Sequence, residues 1–391
     1  MREHKETLYI HGKDMCVTSH RSLSLPIFQT STFAFPTAEE GERRFAGEEQ
    51  GYIYSRLGNP TVQALEEKTA AAEGGERALA FASGMAAASA IITALTKAGD
   101  HILCSNGLYG CTYGLLSLLQ KKYNITHHFS NMRNEAEILN QIKPNTSCIF
   151  IETPINPTMR VIDLKMVSEA ARRHGIPVVV DNTFSSPYLQ QPLTLGCDIV
   201  LHSATKYLNG HGDMIGGIVV GNKNFIEELA YTVRKDMGGI MNPFDAWLLN
   251  RGLKTLHVRM DRHCSNAEQL VRCLKQHENV SEVFYPTDPA HPDYKVACNQ
   301  MKKGGGVISF RIRGSKSDAM KMMNQLNLVK IAVSLGDAET LIQHPAAMTH
   351  SAIPPGDREA MGVDDRMVRL SVGLESWKDI WNDLEQSLDR L

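Results

Sequence analysis

The 391-residue sequence predicts an α/β fold with a mostly parallel central sheet and a smaller α+β C-terminal domain. Between about residues 70 and 220, short apolar runs alternate with stretches of helical periodicity, a pattern typical of repeated strand–helix units. Several of these runs show no polar alternation, which is expected when helices cover both faces of a sheet. The length is sufficient for two or three domains and for a large core.

The first segment, residues 1–58, is turn-rich and weakly periodic, and we expect it to form an arm that packs against another surface. Its N-terminus mixes charges of both signs and does not resemble a secretory signal, so a cytoplasmic location is expected. Residues 78–96 carry no charge and are long enough to span a bilayer. Their Ala, Ser and Gly content, with Gly84 near the middle, instead favours a buried strand, a turn and a helix.

Residues 59–253 contain the predicted sheet. Four runs have the length and residue types of buried strands, namely residues 101–105, 147–151, 176–180 and 198–202. Between them, residues 164–174 have apolar positions at helical spacing, and Gly175 follows as a stop signal.

The C-terminal domain, residues 254–391, is reached through a predicted long helix. Residues 244–277 contain neither proline nor a strand-like run, and Gly252 marks a possible break. Shorter strands at 306–312 and 367–371 then alternate with helical segments, which indicates an α+β domain.

The composition excludes several classes of function. The chain has 41 Lys and Arg against 43 Asp and Glu, a net charge of −2, which argues against a nucleic-acid-binding protein. With 42% apolar and 21% charged residues, it has the composition of an ordinary globular protein. Its eight cysteines are scattered and form no C-x-x-C pair, so we expect a reducing compartment, no disulfide framework and no metal site.

Polar residues follow the apolar runs at the point where each strand should end. Ligands of doubly wound sheets bind beyond these carboxyl ends, so we expect the polar residues to form one site. They begin at Ser83, Glu152, Asp181 and Ser203, the last of which leads to Lys206. A lysine partly stripped of water has a lowered pKa and can act as an amine nucleophile that forms Schiff bases. Lys206 and a carboxylate such as Asp181, able to hold a ring nitrogen protonated, are the two groups that pyridoxal 5'-phosphate requires of a protein.

A phosphate site is predicted beside them. Ser83, Gly84 and Met85 open an Ala-rich helix whose N-terminal N–H groups suit an anion, and the hydroxyls of Ser203 and Thr205 can complete the cradle. Each signal is weak by itself, because a lysine after a strand is usually on the surface and an aspartate there is often a helix cap. Their order along the chain favours the cofactor.

Three long motifs resemble the Cys/Met-metabolism family of pyridoxal-phosphate enzymes. They are residues 54–61 (YSRLGNPT), 203–211 (SATKYLNGH) and 369–375 (RLSVGLE), so the resemblance covers nearly the whole chain. The family includes cystathionine synthases and lyases, homoserine-ester sulfhydrylases and methionine γ-lyases. The resemblance implies the aspartate aminotransferase-like fold of type I.

The resemblance also implies roles in cofactor binding. Lys206 would carry the cofactor, Asp181 would pair with its ring nitrogen, and Tyr109 would lie over the ring and act as an acid and base. Tyr54 and Arg56 would reach the phosphate in the neighbouring subunit, so that the 1–58 arm contacts that subunit. A dimer would complete the site, and the family suggests a tetramer of two dimers.

Arg369 would bind the carboxylate of an amino-acid substrate, with help from Ser334 and Asn156, since an arginine fork suits bidentate carboxylate recognition. Cystathionine γ-lyases usually carry glutamates at two positions that are Val333 and Ile53 here. A distal ammonium group would be left unpaired in such a pocket, which disfavours cystathionine and favours a thioether.

Three segments resemble the methionine γ-lyase branch in particular: residues 109–112, 235–237 and 332–337. In that branch Cys111 would lie near the sulfur of the substrate, which is L-methionine or homocysteine, and Lys235 and Asp236 would belong to a hydrogen-bonded group around it. Tyr109 would protonate the leaving thiolate, with its pKa lowered by Arg56 and the lysine. A cystathionine γ-lyase, an O-acylhomoserine γ-replacement enzyme and a binding protein without turnover remain as alternatives.

Overall fold

The computed structural model of the protein describes residues 4–12, 22–351 and 353–391. A seven-stranded sheet lies at its centre, with the strand order β1-β7-β6-β5-β4-β2-β3. The strands are β1 (Arg77–Phe81), β2 (His101–Ser105), β3 (Thr126–Ser130), β4 (Thr146–Glu152), β5 (Val178–Asp181), β6 (Ile199–Ser203) and β7 (Gly217–Gly221). Strands β2 to β6 run parallel, whereas β7 is antiparallel to both β1 and β6. The α/β fold with a mostly parallel sheet is confirmed.

Helices cover both faces of this sheet. The helices of this part of the chain are α1 (Lys5–His11), α2 (Ala38–Ala46), α3 (Pro60–Glu73), α4 (Gly84–Leu95), α5 (Gly110–Tyr123), α6 (Glu135–Gln141), α7 (Leu164–Arg172), α8 (Ser186–Leu189), α9 (Lys223–Leu229), α10 (Lys235–Met237) and α11 (Pro243–Leu253). Along β6, Leu201 packs into the cluster that contains Ile91 of α4, and Val200 packs into the cluster that contains Leu65 of α3. Burial on both faces explains why the strand shows no polar alternation.

The four predicted strands are confirmed as β2, β4, β5 and β6. Strand β5 begins at Val178, two residues later than predicted, because Pro177 has no N–H to donate to a ladder. The helix predicted over 164–174 is α7, and Gly175 follows it with φ of 65°, a conformation that suits glycine.

A second sheet of five strands has the order β10-β11-β12-β9-β8. Its strands are β8 (Val280–Phe284), β9 (Val307–Ile312), β10 (Lys330–Ile331), β11 (Leu341–Gln343) and β12 (Met367–Ser371), and its helices are α12 (Leu256–Gln276), α13 (Tyr294–Gln300), α14 (Lys316–Asn324), α15 (Pro355–Ala360) and α16 (Trp377–Leu388). Most of its pairings are antiparallel, as expected for the α+β segment.

The long helix predicted over 244–277 is in fact two helices, α11 and α12. The break lies at Lys254 and Thr255 rather than at Gly252, which is inside α11. A Cβ atom at Gly252 would lie 2.4 Å from the carbonyl oxygen of Asn209, so the glycine allows close backbone packing and does not end the helix.

The N-terminal segment has two parts. Helix α1 packs on its own chain, since Tyr9 is fully buried and its ring lies 6.3 Å from that of Tyr188. Residues 22–58 are largely exposed and include the apolar side chains of Ile27, Phe28 and Tyr54. Contact with a neighbouring subunit therefore stays a prediction for this second part.

The uncharged segment at 78–96 forms most of β1 and the whole of α4, as predicted. Ser83 caps α4, and its hydroxyl accepts a hydrogen bond of 3.0 Å from the N–H of Ala86. Within the described ranges, no helix combines the length and the apolar content needed to cross a membrane.

Candidate active site

Lys206 lies just beyond the carboxyl end of β6, in a position that withdraws its amine from water. Burial is the main cause that lowers its pKa; Arg369 lowers the pKa further, and Asp337 opposes the shift. The amine donates a 3.0 Å hydrogen bond to the hydroxyl of Ser334. The lowered pKa agrees with the prediction made from the position of Lys206 after a buried strand.

Asp181 is the last residue of β5, which pairs with β6, the strand that leads to Lys206. Its Oδ1 accepts hydrogen bonds from the N–H of Thr183 at 3.1 Å and from the hydroxyl of Thr183. Burial raises the pKa of Asp181, whereas the two Thr183 bonds and the nearby His202 lower it. A fixed carboxylate in this position can pair with a protonated ring nitrogen.

Tyr109 stands directly before α5, and 39% of it is exposed. Its pKa is raised to about 12, first by a hydrogen bond with Cys111, then by burial and by the charges of Cys111 and Glu152. Arg369 is the cation that lowers it. Within the single chain neither Arg56 nor Lys206 acts on this pKa, so the predicted lowering by an Arg56 from a neighbouring subunit stays a prediction. The guanidinium of Arg56 instead donates a hydrogen bond to the backbone oxygen of Lys235.

Arg369, on β12, is held by three groups. It donates to the side-chain oxygen of Asn156 at 2.9 Å and to the backbone oxygen of Ser334 at 2.8 Å. With the Gln343 amide turned so that its oxygen faces the guanidinium, that oxygen lies 3.1 Å from Nε. Burial lowers the pKa of Arg369 to about 10. The predicted trio of Arg369, Asn156 and Ser334 is brought together, although the Ser334 hydroxyl binds Lys206.

The predicted phosphate cradle lies where α4 meets β6. A Cβ atom at Gly84 would lie 2.9 Å from Cβ of Ser203, so the two segments approach as closely as glycine permits. The N–H groups of Gly84 and Met85 precede the first helical hydrogen bond and are the natural donors for an anion. The hydroxyl of Thr205 accepts a 3.1 Å hydrogen bond from the N–H of Gly216.

Tyr54, Arg56, Lys235 and Asp236 form a separate group. Arg56 lies over the ring of Tyr54 at 5.8 Å and donates to the backbone oxygen of Lys235. The Lys235 amine is 3.6 Å from the Asp236 carboxylate, and both side chains are well exposed. The prediction that Tyr54 and Arg56 reach the cofactor of a neighbouring subunit is not tested by the single chain. Their contact with Lys235, which was predicted to lie near Cys111, was not foreseen from the sequence.

Cys111 is exposed beside Tyr109 at the start of α5. Among the described residues, no hydrogen bond or ion pair joins it to Lys235 or Asp236, so the predicted group around the substrate sulfur is not assembled within one chain. Four other cysteines are buried: Cys104, Cys148, Cys197 and Cys264. Cys16 lies outside the described residues. In the described part of the chain, no three His, Cys, Asp or Glu side chains are placed to hold a metal ion.

The two positions expected to select the substrate differ in exposure. Val333 is 56% exposed and directly precedes Ser334, whereas Ile53 is half-buried beside Tyr54. Val333 is therefore available to a ligand that approaches Lys206.

Sequence reasoning assigned no role to four residues of the site. Glu152 was expected at the site because it follows an apolar run, although no role was given to it, and Thr183 lies two residues after Asp181 at the next such point. Asp337 raises the pKa of Lys206, and its position three residues after Ser334 was the one sequence feature that could have identified it. Gln343 faces Arg369 because β11 pairs with β12, and the sequence carries no signal for that pairing.

Comparison with known proteins places the chain in a family. A family model described as Cys/Met metabolism PLP-dependent enzyme matches residues 6–389. The L-methionine gamma-lyase of Porphyromonas gingivalis is 48% identical, with 100% of this chain and 98% of that protein covered. The cystathionine gamma-lyase of Bacillus subtilis is 41% identical, with 99% and 100% covered. The crystal structure of metB from Corynebacterium glutamicum has a TM-score of 0.94 and 40% identity, covering 99% of this chain and 98% of that one.

The site fits the cofactor of that family. A desolvated amine at Lys206, a carboxylate at Asp181 and the donors at the start of α4 match the carbonyl, the ring nitrogen and the phosphate of pyridoxal 5'-phosphate. The mostly parallel central sheet with a smaller second sheet is the architecture of fold type I. The chain belongs to the Cys/Met metabolism family of enzymes that depend on pyridoxal 5'-phosphate.

Proposed function

We propose that the protein is a carbon–sulfur lyase that converts L-methionine and water into methanethiol, 2-oxobutanoate and ammonia. The observation that carries the proposal is that Arg369 lowers the pKa of both Lys206 and Tyr109, beside the strand that ends at Asp181, in a chain 48% identical to an L-methionine gamma-lyase. An intact set of this kind argues against a binding protein without turnover.

Arg369 binds the substrate carboxylate in this proposal. Its fork is already oriented by Asn156 and by the backbone of Ser334, so little side-chain freedom is lost on binding. When bound, pyridoxal phosphate supplies an electron sink for the charge left at the α-carbon. Asp181 stabilises the protonated ring nitrogen, and Ser203 and Thr205, with the start of α4, bind the phosphate.

Lys206 moves the protons. Its lowered pKa increases the fraction of neutral amine, which removes the α-proton and then a β-proton of the substrate. Tyr109 donates a proton to the departing thiolate; the phenol is protonated at neutral pH, and Arg369 opposes the rise in its pKa that would weaken it as an acid. We expect Cys111, whose hydrogen bond raises the pKa of Tyr109, to lie near the sulfur end of the substrate.

The choice of methionine is supported by Val333 and Ile53, which offer no charge to a distal ammonium group. A second candidate is a γ-lyase that prefers cystathionine or homocysteine, because the Bacillus subtilis cystathionine gamma-lyase is 41% identical over its full length. A γ-replacement enzyme that uses an O-acylhomoserine is a third.

We also propose a homo-oligomer in which Tyr54, Arg56, Lys235 and Asp236 complete the site of a neighbouring subunit. Support comes from the partial exposure of this group and from the exposed apolar side chains of Ile27 and Phe28 in the segment 22–58. We expect a tetramer built from two such dimers.

The test is a substrate profile of the purified holoenzyme. The values of kcat/KM are compared for L-methionine, L-homocysteine, L-cystathionine, and O-acetyl-L-homoserine with sulfide. The proposal expects the highest value for L-methionine, with release of methanethiol. A higher value for cystathionine or for the acylhomoserine reaction would assign the protein to that alternative instead.

A further inference from the structure

We propose that Glu152 is a positioning residue of this site: its buried carboxyl group fixes Tyr109 and Asn156 relative to Asp181. The inference rests on the proposed function only for the role given to substrate binding. Its claim about the cofactor pocket requires no more than membership of the family.

The first support is the bond to Tyr109. Glu152 is the last residue of β4 and is only 4% exposed. Its Oε2 accepts a 2.7 Å hydrogen bond from the N–H of Tyr109. Tyr109 precedes α5 and makes no capping bond with its own side chain, so the Glu152 carboxyl group provides the acceptor for the N–H at the start of that helix. This bond fixes the backbone position from which the Tyr109 side chain extends.

The second support is Asn156. The backbone of Asn156 gives the Glu152 carboxyl another hydrogen bond, and the side-chain oxygen of Asn156 accepts from Arg369 at 2.9 Å. One carboxyl group therefore connects the residue predicted to lie over the cofactor with a residue that orients the substrate-binding arginine. The N–H of Glu152 itself bonds to the hydroxyl of Ser105 on β2 at 3.1 Å, which anchors the group to the sheet.

The third support is the energetic cost of this placement. Glu152 lies opposite Asp181 in the parallel register, so the buried carboxyl group of Glu152 lies beside the half-buried one of Asp181. Burial and the charge of Asp181 raise the pKa of Glu152, and the two backbone bonds and Arg369 oppose that shift. An apolar side chain would fill the same space without this repulsion, but it could not accept the two hydrogen bonds.

The experiment uses three variants of Glu152. E152A removes the carboxyl, E152D retracts it from both donors while keeping its charge, and E152Q keeps an acceptor oxygen at the same distance. For each apoprotein, the Kd for pyridoxal 5'-phosphate is measured by fluorescence titration, and the visible circular dichroism of the bound cofactor reports its orientation. The KM and kcat for L-methionine are measured on the holoenzymes.

We expect E152A and E152D to raise the cofactor Kd roughly tenfold or more, to weaken the dichroism and to raise KM more than they lower kcat. E152Q should recover most of each loss. The matched control is D383A, because the buried Asp383 also accepts backbone N–H bonds, from Asn327, Leu328 and Val329, far from Lys206. It should lower the melting temperature while leaving Kd, dichroism and KM within about twofold of the parent.

Three results would overturn the proposal. Unchanged cofactor Kd and dichroism in E152D would show that the position of the carboxyl is immaterial, even if E152A does not fold. Equal losses of cofactor affinity and dichroism in E152Q and E152A would show that the ionisable carboxyl group matters and that the hydrogen-bond acceptor does not. Equal losses in D383A would assign it to general destabilisation. If the parent does not cleave L-methionine, the proposed function fails, whereas the cofactor titration still decides the role of Glu152.

Discussion

At the scale of single residues, the site is built from charged groups withdrawn from water and then paired. Lys206 has a lowered pKa and is bonded to Ser334, and Arg369 is buried but bonded to two oxygen acceptors. Burial of such groups costs free energy unless they are paired, so their positions are closely determined. This is how a site can be ordered before any ligand binds.

A prediction at this scale concerns Cys111. We expect C111A to lower kcat/KM for L-methionine about tenfold and to change kcat/KM for cystathionine less, because the thiol contacts Tyr109 where the sulfur leaves. Its matched control is C298A, since Cys298 is also exposed in a helix and also hydrogen-bonded to a tyrosine, Tyr294.

The comparison of the two variants decides the role of the thiol. An unchanged methionine-to-cystathionine preference in C111A would leave Cys111 as an ordinary surface thiol. The melting temperatures of both variants should stay close to that of the parent, because neither side chain fills the core.

Sequence position was sufficient to find Lys206 and Asp181, because a polar residue directly after a buried strand must emerge at the ligand edge of the sheet. It was not sufficient for the pKa of Tyr109. That value depends on Cys111, Glu152 and Arg369, and the last of these is separated from Tyr109 by 260 positions along the chain. Electrostatic neighbours are set by tertiary contacts, so local pattern cannot predict them.

At the scale of helices and strands, the buried strands were the best predicted feature, because short uninterrupted apolar runs of this length are typical of strands covered on both faces. Helix ends were predicted less well. Gly252 suggested a break because glycine is a weak helix former, but its reason lies in its contact with Asn209. Pairing of β11 with β12, which brings Gln343 to Arg369, joins short strands with little periodicity.

A prediction at this scale concerns the packing of α12 against β12. His263 of α12 is fully buried, and its Nδ1 donates a 2.6 Å hydrogen bond to the backbone oxygen of Val372, just after β12. Burial lowers the pKa of His263 to about 4. The unfolded chain, with an ordinary pKa near 6.5, takes up the proton first as the pH falls, so stability is lost between about pH 6.5 and pH 4.

H263N tests this linkage, because its amide can keep the bond to Val372 and does not titrate. We expect the free energy of unfolding of the parent to fall by up to about 3 kcal/mol more than that of H263N between pH 6.5 and pH 4. Chemical denaturation at several pH values measures the difference. Parallel curves for the two proteins would mean that His263 does not contribute to the acid sensitivity.

At the scale of the whole molecule, the chain presents two groups of functional residues. One surrounds Lys206 at the sheet edge, and the other contains Arg56 and Lys235 on a half-exposed surface. The resemblance to a family predicted that Arg56 of this second group serves another subunit. Physical reasoning from one chain could not have predicted this role, since a symmetric interface is a property of two copies.

Mixed dimers test this sharing. R56A and K206A should each be nearly inactive alone, but a dimer of one R56A and one K206A subunit has one site with both native residues. After subunit exchange in equal amounts, activity should rise to about a quarter of that of the parent. Each variant exchanged with itself is the control, and no gain on mixing would mean that each site is built from a single chain.

The most direct test of the central claim is product analysis with L-methionine. The parent holoenzyme should release methanethiol, 2-oxobutanoate and ammonia in equal amounts, and K206A should release none. K68A is the matched control, because Lys68 is also buried, with a pKa lowered to about 8, but is bonded to the backbone of Ile10 away from the site. It should keep the parent's activity. Methanethiol release by K206A, or none by a parent that holds its cofactor, would contradict the account.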